Sequence, residues 1–341
     1  MTITPLLTLL AAAPLTLAQA PPDFMGPPND WVTIHNEGAV DVDDACDTSN
    51  LSVPRFQIHE MLAIDAIPTL TDPDTVPLDE AAWLTDADRL IYIAIGTDTL
   101  AVPIRVINWH EVIQTEIGGE PVAITYCPPC DSVAVVSRRV SRPAALTAAS
   151  DPARADDPMV LDFGVTGALF NSNAIFYDEA TRSLWSQLGM EAISGPFAGT
   201  RLRHHPFRLL RTPELRDLAP ATTRVVTPNT GYERPYDSSP YDAYFADNRL
   251  IVPVWFLDGR LPGKTLGLCI ADGDQSWFVP ASDLIERELE VATPSGPVRV
   301  TISTAGVMIL EAPENVSVAQ GFFFAWAAFH QGTTIVRADP G

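Results

Sequence analysis

Lysine is almost missing from this sequence, because Lys264 is the one lysine among 341 residues. Schiff-base chemistry, which needs a lysine amine, therefore has a single candidate. Lysine and arginine together number 21 against 43 aspartates and glutamates, which gives a formal net charge of −22. Since proteins bind nucleic-acid phosphates through a basic surface, this acidic composition argues against a nucleic-acid partner.

Long apolar runs are scarce as well. Residues 1–20 combine an apolar run with small residues, and we predict a signal peptide cleaved near residues 18–20, although this run has no Lys or Arg before it. No later segment approaches the length that a membrane-spanning helix needs. We therefore expect a periplasmic or otherwise exported protein with no membrane span after cleavage.

The familiar catalytic and cofactor motifs are missing too. The sequence has no Gly-x-Ser-x-Gly elbow, phosphate loop, dinucleotide fingerprint or His-Glu-x-x-His pair. Asp131 follows Cys130 where covalent haem attachment requires a histidine. We therefore expect neither covalent haem nor a nucleotide cofactor.

The residues that are present favour a mainly β protein of the α+β class with short helices. Thirty-one prolines interrupt the chain, and few stretches have helical periodicity. Strands are predicted over residues 90–96 and 100–104, and a short helix over 212–218. A further helix over 106–113 would carry His110. Residues 21–55 are rich in Pro, Asp and Asn and are predicted to be an extended N-terminal segment.

An internal repeat indicates how the rest of the chain is organised. Residues Ile93, Gly96 and Val102 recur as Ile270, Gly273 and Val279, each at an offset of 177. A common offset and an unchanged order favour a duplicated β-unit. We predict a first unit over residues 56–260, with a long loop-rich insertion after about residue 141, and a second, degenerate unit over 261–341 packed on it.

The main functional signal is a Cys-Pro-Pro-Cys turn between two β-favouring runs. Prolines 128 and 129 have no backbone N–H to continue a strand ladder, so residues 121–136 are predicted to form a hairpin with Cys127 and Cys130 at its tip. Three interpretations stay open: a redox or otherwise reactive thiol pair, a metal site, and a structural disulfide. The corresponding turn of the second unit, residues 303–306, has no thiol, so chemistry is assigned to the first unit.

Candidate site residues follow from these interpretations. In the redox hypothesis, Cys127 and Cys130 react, His110 is the nearby base, and a pocket binds the substrate. The alternative is a copper or zinc site formed by Cys127, Cys130 and His110. A further alternative is a non-enzymatic exported ligand-binding module. The partner would be an unidentified small molecule or redox partner, and His204 and His205 are expected on the surface. The predicted pocket residues are Asn171, Ser172, Trp185, Ser186 and Gln187.

The sequence resembles an uncharacterised bacterial family known as domain of unknown function 3179. The resemblance extends from about residue 60 to the end. Its motifs include NWHEV at 108–112, GEPVAITYCPPC at 119–130, FGVTG at 163–167, FNSN at 170–173, SLWSQ at 183–187, PY at 240–241 and FAWAAF at 324–329.

This resemblance implies no established activity. Some members of the family are selenoproteins, which implies chemistry at the cysteine positions. The usual tip is Cys-Pro-Leu-Cys-Gly, where this chain has Pro129 and Asp131. A carboxylate at 131 would raise the pKa of a neighbouring thiol unless a cation offsets it.

Overall fold

The computed structural model describes residues 41–143, 146, 157–284 and 287–337. The predicted signal peptide, residues 1–20, and residues 21–40 of the predicted N-terminal segment lie outside these ranges. The fold is mainly β with short helices, which confirms the predicted class. In the described ranges, no helix combines the length and the apolar character that crossing a membrane requires.

Twenty-three strands account for most of the regular structure in the described part of the chain. In chain order they are β1 Ile58–Glu60, β2 Leu70–Thr71, β3 Thr75–Pro77, β4 Arg89–Ile95, β5 Asp98–Pro103, β6 Val112–Ile117, β7 Glu120–Cys127, β8 Ser132–Ser137, β9 Arg139–Val140, β10 Met159–Val160, β11 Phe163–Phe170, β12 Asn173–Asp178, β13 Leu184–Ser186, β14 Glu191–Ala192, β15 Arg208–Arg211, β16 Arg224–Val226, β17 Leu266–Asp272, β18 Gln275–Pro280, β19 Leu289–Thr293, β20 Gly296–Ile302, β21 Val307–Glu311, β22 Ser317–Phe322 and β23 Thr334–Ile335.

The helices are short and connect or cap the sheets. The α-helices are α1 Val42–Ala45, α2 Ile104–Ile107, α3 Thr212–Leu218, α4 Asp242–Phe245 and α5 Phe323–Phe329; 3-10 turns span Arg55–Gln57, Pro128–Cys130 and Ala281–Leu284. Helix α3 has the predicted bounds. The predicted helix over 106–113 is wrong, because α2 ends at Ile107 and β6 begins at Val112. Glu111 has a left-handed φ of 56°, and the β-branched Val112 and Ile113 pair with β7 instead.

Two eight-stranded sheets form the centre of the molecule. Their strand orders are β19-β20-β21-β15-β4-β5-β16-β3 and β2-β6-β7-β8-β22-β17-β18-β23. One apolar cluster includes Ile91 and Ile93 of the first sheet together with Ile124, Val135 and Val318 of the second. The main core therefore lies between these two sheets.

The segments that carry the sequence repeat have a similar order of elements. Residues 89–137 and 266–311 each contain two strands, a short helical turn and three further strands, and the first segment has in addition the 3-10 turn Pro128–Cys130 before its last strand. Each large sheet combines strands from both segments, since β6, β7 and β8 share a sheet with β17 and β18, while β19, β20 and β21 share one with β4 and β5. Residue 261 therefore does not separate two sheets, and the duplication itself stays a prediction.

A smaller sheet covers the outer face of the second large sheet. Its order is β1-β11-β12-β13-β14, so all but one of its strands come from the predicted insertion. Successive side chains of a strand point to opposite faces. Accordingly Ile124 and Tyr126 of β7 lie in the main core, whereas Ala123 and Cys127 pack with Phe176 of the small sheet. The cysteine hairpin thus presents its thiols to the layer between the second large sheet and the small sheet.

Candidate functional site

The cysteine hairpin has the register that the sequence indicates. Strands β7 and β8 pair antiparallel from Val122 opposite Ser137 to Cys127 opposite Ser132. The 3-10 turn Pro128–Cys130 closes the hairpin, and Asp131 follows it with a left-handed φ of 41°. Because the two prolines have no N–H, neither of them leaves a backbone donor unpaired in the turn. Both cysteines therefore lie at the same end of the hairpin.

Cys127 and Cys130 are free, fully buried thiols in mutual contact. Neither side chain is exposed, and neither forms a disulfide. The Ala174 N–H donates to Cys127 Sγ at 3.3 Å, and Cys130 Sγ donates to the Ser172 carbonyl at 3.0 Å. Burial first, and then hydrogen bonding and the charge of Cys127, raise the pKa of the Cys130 thiol well above its ordinary value. Cys130 is therefore a protonated thiol at neutral pH.

The other two cysteines differ in their relation to this pair. Cys269 belongs to the same apolar cluster as Cys127 and Cys130, and its charge contributes to the raised pKa of Cys130. Cys46 lies in a separate apolar cluster. Both are free and buried. Cys269 is therefore a neighbour of the cysteine pair. Cys46 lies in another part of the core, so its replacement serves as a control for replacement of the pair.

Asn171 and Ser172 form the turn that backs the thiols. They connect β11 to β12 with φ values of 51° and 62°, the conformation of a two-residue hairpin turn. Ser172 Oγ donates to the Val252 carbonyl at 2.8 Å, and Asn171 Oδ1 accepts from the Trp255 N–H at 2.8 Å. These residues, predicted to bind substrate, thus fix the turn whose carbonyl accepts from Cys130.

A network of buried side chains lies next to the thiols. Asn173 Nδ2 donates to Gln187 Oε1 at 2.9 Å, and Ser132 Oγ donates to the same oxygen at 2.5 Å. Gln187 Nε2 in turn donates to Thr125 Oγ1 at 3.0 Å. Asn173 also forms a hydrogen bond that lowers the pKa of Cys130, although burial outweighs it. Gln187 therefore joins the hairpin to the small sheet directly beside the cysteine pair.

The predicted residues Trp185, Ser186 and Gln187 line a cleft with about 430 Å³ of empty space, part of it open to solvent, which we call the Trp185 cleft. Most of its other side chains are apolar, and its full lining is Thr125, Ala134, Val136, Phe163, Phe176, Trp185, Ser186, Gln187, Met190, Glu191, Leu202 and His204. The expectation of a surface His204 is wrong, since its side chain is buried and Nδ1 donates to the Val318 carbonyl at 2.9 Å. Burial lowers the pKa of His204 to about 4.

His110 is held by groups other than the cysteines. Its Nδ1 donates to the Pro68 carbonyl at 2.7 Å, which leaves Nε2 to accept from the Tyr236 hydroxyl at 2.7 Å. Burial lowers the pKa of His110 to about 4. Among the residues that the structure describes, no three His, Cys, Asp or Glu side chains are grouped to hold a metal ion. We therefore assign neither a proton-transfer role nor a metal to His110.

Asp131, at the position where the family tip has glycine, is paired with a cation. Arg89 contacts the Asp131 carboxylate through both terminal nitrogens, and the Tyr126 hydroxyl donates to Asp131 Oδ1 at 3.0 Å. The Arg89 cation thus offsets the charge of Asp131, which is the condition under which Asp131 need not raise the pKa of the neighbouring thiols. Burial and Cys127 are the leading causes of the raised pKa of Cys130.

A second cleft borders the cysteine turn and contains a carboxyl group that the sequence reasoning missed. Glu111, Tyr241 and Pro129 line this cleft, which has about 460 Å³ of empty space, part of it open to solvent, and which we call the Glu111 cleft. Burial alone raises the pKa of Glu111 to about 8. Glu111 and Tyr241 both lie in motifs that carry the family resemblance, but nothing in their spacing indicates a shared cleft.

The fold and this site define a mainly β protein with a buried dithiol on a hairpin whose residues Thr125 and Pro129 line two clefts. The chain belongs to the family described as Protein of unknown function (DUF3179), whose family model matches residues 64–314. No curated protein matches the chain, and no solved structure does.

Proposed function

We propose that this protein is an exported thiol–disulfide redox protein in which Cys127 and Cys130 cycle between dithiol and disulfide. One observation carries the proposal: two free thiols, two residues apart in a turn, are in side-chain contact. A disulfide needs its two sulfurs within bonding reach without a large backbone movement. Cys269 lies in the same apolar cluster as the pair, and it forms no disulfide with either of them in this structure.

The surroundings of the pair support a reversible change. The reduced form is stabilised by the bond from Cys130 Sγ to the Ser172 carbonyl, which would be lost on oxidation because a disulfide sulfur has no proton to donate. The Ala174 N–H could still donate to Cys127 Sγ, since this bond needs only a sulfur acceptor. Oxidation therefore breaks the hydrogen bond from Cys130 to Ser172 and leaves the hydrogen bond from Ala174 to Cys127 available.

The Trp185 cleft supports a binding site close to the pair. Thr125 lines this cleft and lies two residues before Cys127 on the same face of β7, because side chains of a strand alternate. Trp185, Ser186 and Gln187 are the proposed contacts. The same cleft favours a second candidate, a ligand-binding module without redox chemistry, and that candidate predicts ligand binding that survives replacement of both cysteines.

The deciding experiment is a redox titration of the whole protein. The protein is equilibrated in a series of reduced and oxidised dithiothreitol, approached from both directions so that slow access to the buried sulfurs does not bias the end point, and its free thiols are counted after denaturation. We expect two of the four thiols to disappear and return in one transition. Cys46→Ser should retain the transition, and Cys127→Ser with Cys130→Ser should abolish it. Four thiols under every condition would refute the proposal.

A further inference from the structure

The Glu111 cleft is an apolar site with one carboxyl group. Among the described residues that line it, only Glu111 and Tyr241 are titratable, and the others are Met61, Leu62, Ile67, Pro129, Gly167, Ala168, Leu169 and Ile251. Its empty space, about 460 Å³, is partly open to solvent, so a ligand can enter from the surface. An uncharged ligand with an apolar substituent fits such walls, whereas a charged ligand would lose its hydration.

Glu111 is held in this cleft by a strained backbone. Its φ of 56° is unusual for a residue other than glycine. The Glu111 N–H donates to the Ile107 carbonyl at 2.7 Å, and its own carbonyl accepts from the Tyr126 N–H at 2.8 Å. The end of α2 and strand β7 therefore both fix this conformation. Strain of this kind persists where the surrounding structure enforces it and is concentrated at functional sites.

The cleft leads to the cysteine pair. Pro129, which lines it, lies between Cys127 and Cys130 in the turn. Tyr241 lies close to both Glu111 and Cys127. Burial raises the pKa of Tyr241, and the charges of these two groups raise it further. The Glu111 carboxyl thus lines the cleft, and the thiol pair lies beside Pro129, the turn residue that lines it as well.

Resting on the proposed redox function, we propose that the Glu111 cleft admits an organic hydroperoxide with an apolar substituent and that Glu111 carries the proton between thiol and leaving oxygen. The complete burial of both sulfurs favours a small oxidant. Thiol–disulfide exchange must align three sulfurs, whereas attack on a peroxide needs one sulfur to reach one oxygen. Pro129 lines the cleft and belongs to the turn that carries the thiols. In this proposal, a displacement of that turn gives the peroxide access to them.

The reaction balances with a hydroperoxide, ROOH, as the oxidant. One thiol gives its proton to the Glu111 carboxylate, and the thiolate attacks the terminal peroxide oxygen. The O–O bond breaks, and the alkoxide takes the proton from Glu111 and leaves as ROH, so that the cysteine is now a sulfenic acid. The thiol of the second cysteine attacks this sulfur, the S–O bond breaks, and water leaves. Two thiols are oxidised to one disulfide, and ROOH is reduced to ROH and water.

The test follows the loss of thiols in a single turnover with cumene hydroperoxide, hydrogen peroxide and glutathione disulfide, each at several pH values. Glu111→Gln removes the carboxylate with little change in shape, and Glu116→Gln changes an exposed glutamate of β6, the strand that follows Glu111. We expect cumene hydroperoxide to be the fastest oxidant of the wild-type protein. The rate of thiol loss with cumene hydroperoxide should level off above about pH 8, the pKa of Glu111. Glu111→Gln should slow it by about 100-fold and remove this plateau, and Glu116→Gln should do neither.

The outcomes separate this inference from the proposed function. Equal rates and equal pH profiles for wild type and Glu111→Gln would overturn the role of Glu111. Hydrogen peroxide reacting as fast as cumene hydroperoxide would overturn the assignment of the apolar cleft. Either result leaves the redox pair standing if the dithiothreitol transition is present. If that transition is absent, the proposed function itself fails.

Discussion

Arg89 and Asp131 form a two-point ion pair directly behind the cysteine turn. Nη1 of Arg89 lies 3.2 Å from Asp131 Oδ1, and Nη2 lies 3.0 Å from Oδ2. Arg89 Nε also donates to the Ala305 carbonyl at 3.0 Å. The pair therefore links strand β4, the cysteine turn and the corresponding turn of the second repeat segment.

Replacing Arg89 should destabilise the protein and leave the Asp131 carboxylate without its cation. We expect Arg89→Met to lower the free energy of unfolding by about 2 to 4 kcal/mol, because breaking a largely buried ion pair strands a charge. Denaturant unfolding at neutral pH measures this change. The double variant Arg89→Met with Asp131→Gly should recover most of the loss, since glycine also suits the left-handed φ at residue 131. Failure of the double variant to recover any stability would contradict this account of the pair.

Glu111 should make the protein less stable as pH rises. Its pKa is about 8 in the folded protein and near 4.5 when the chain is unfolded, so the unfolded state loses the proton first. Stability should therefore fall between about pH 4.5 and pH 8 and then level off, by an amount on the order of a few kcal/mol. Glu111→Gln should remove this fall, and Glu116→Gln should keep it. Identical pH profiles of unfolding for wild type and Glu111→Gln would rule out a buried, protonated carboxyl.

Sequence patterns predicted individual strands, turns and helices better than they predicted which residues come together at the candidate site. The two β-favouring runs and the prolines between them sufficed for the cysteine hairpin, and the helix predicted over 212–218 has the bounds of α3. The helix expected around His110 fails because the left-handed Glu111 and the pairing of Val112 with Thr125 depend on tertiary structure. Long-range contacts also decide the burial of Glu111 beside Pro129 and Tyr241, and of His204 under Val318. Residue spacing along the chain contains no trace of these contacts.

Gln187 should be costly to replace because three side chains depend on its amide. Gln187→Ala would leave the donors of Asn173 and Ser132 without their shared acceptor and would open a void. We expect a loss of about 2 to 4 kcal/mol in unfolding free energy. Gln275→Ala, at an exposed position of β18, should change it by less than about 0.5 kcal/mol. A loss at residue 187 no larger than that at residue 275 would contradict the network.

His204 should contribute to acid sensitivity. Its pKa is about 4 when folded against about 6.5 unfolded, so the unfolded state takes up the proton first on acidification. Stability should fall as pH decreases from about 6.5 to about 4, and His204 alone accounts for up to about 3 kcal/mol of this fall. His204→Gln should reduce the slope of unfolding free energy against pH in this window. His59→Gln, at a half-buried position of β1, serves as the control, and an unchanged slope in the His204 variant would show that the buried imidazole is not responsible.

The central claim is that Cys127 and Cys130, and not Cys269, form the redox pair. Peptide mapping by mass spectrometry of protein oxidised in the dithiothreitol series tests it most directly, with the remaining thiols blocked before digestion. We predict that the peptide containing Cys127 and Cys130 lacks two hydrogens, that Cys46 and Cys269 carry the blocking group, and that reduction restores all four thiols. A disulfide between Cys269 and either residue, or blocked thiols at both Cys127 and Cys130 under every oxidising condition, would contradict it.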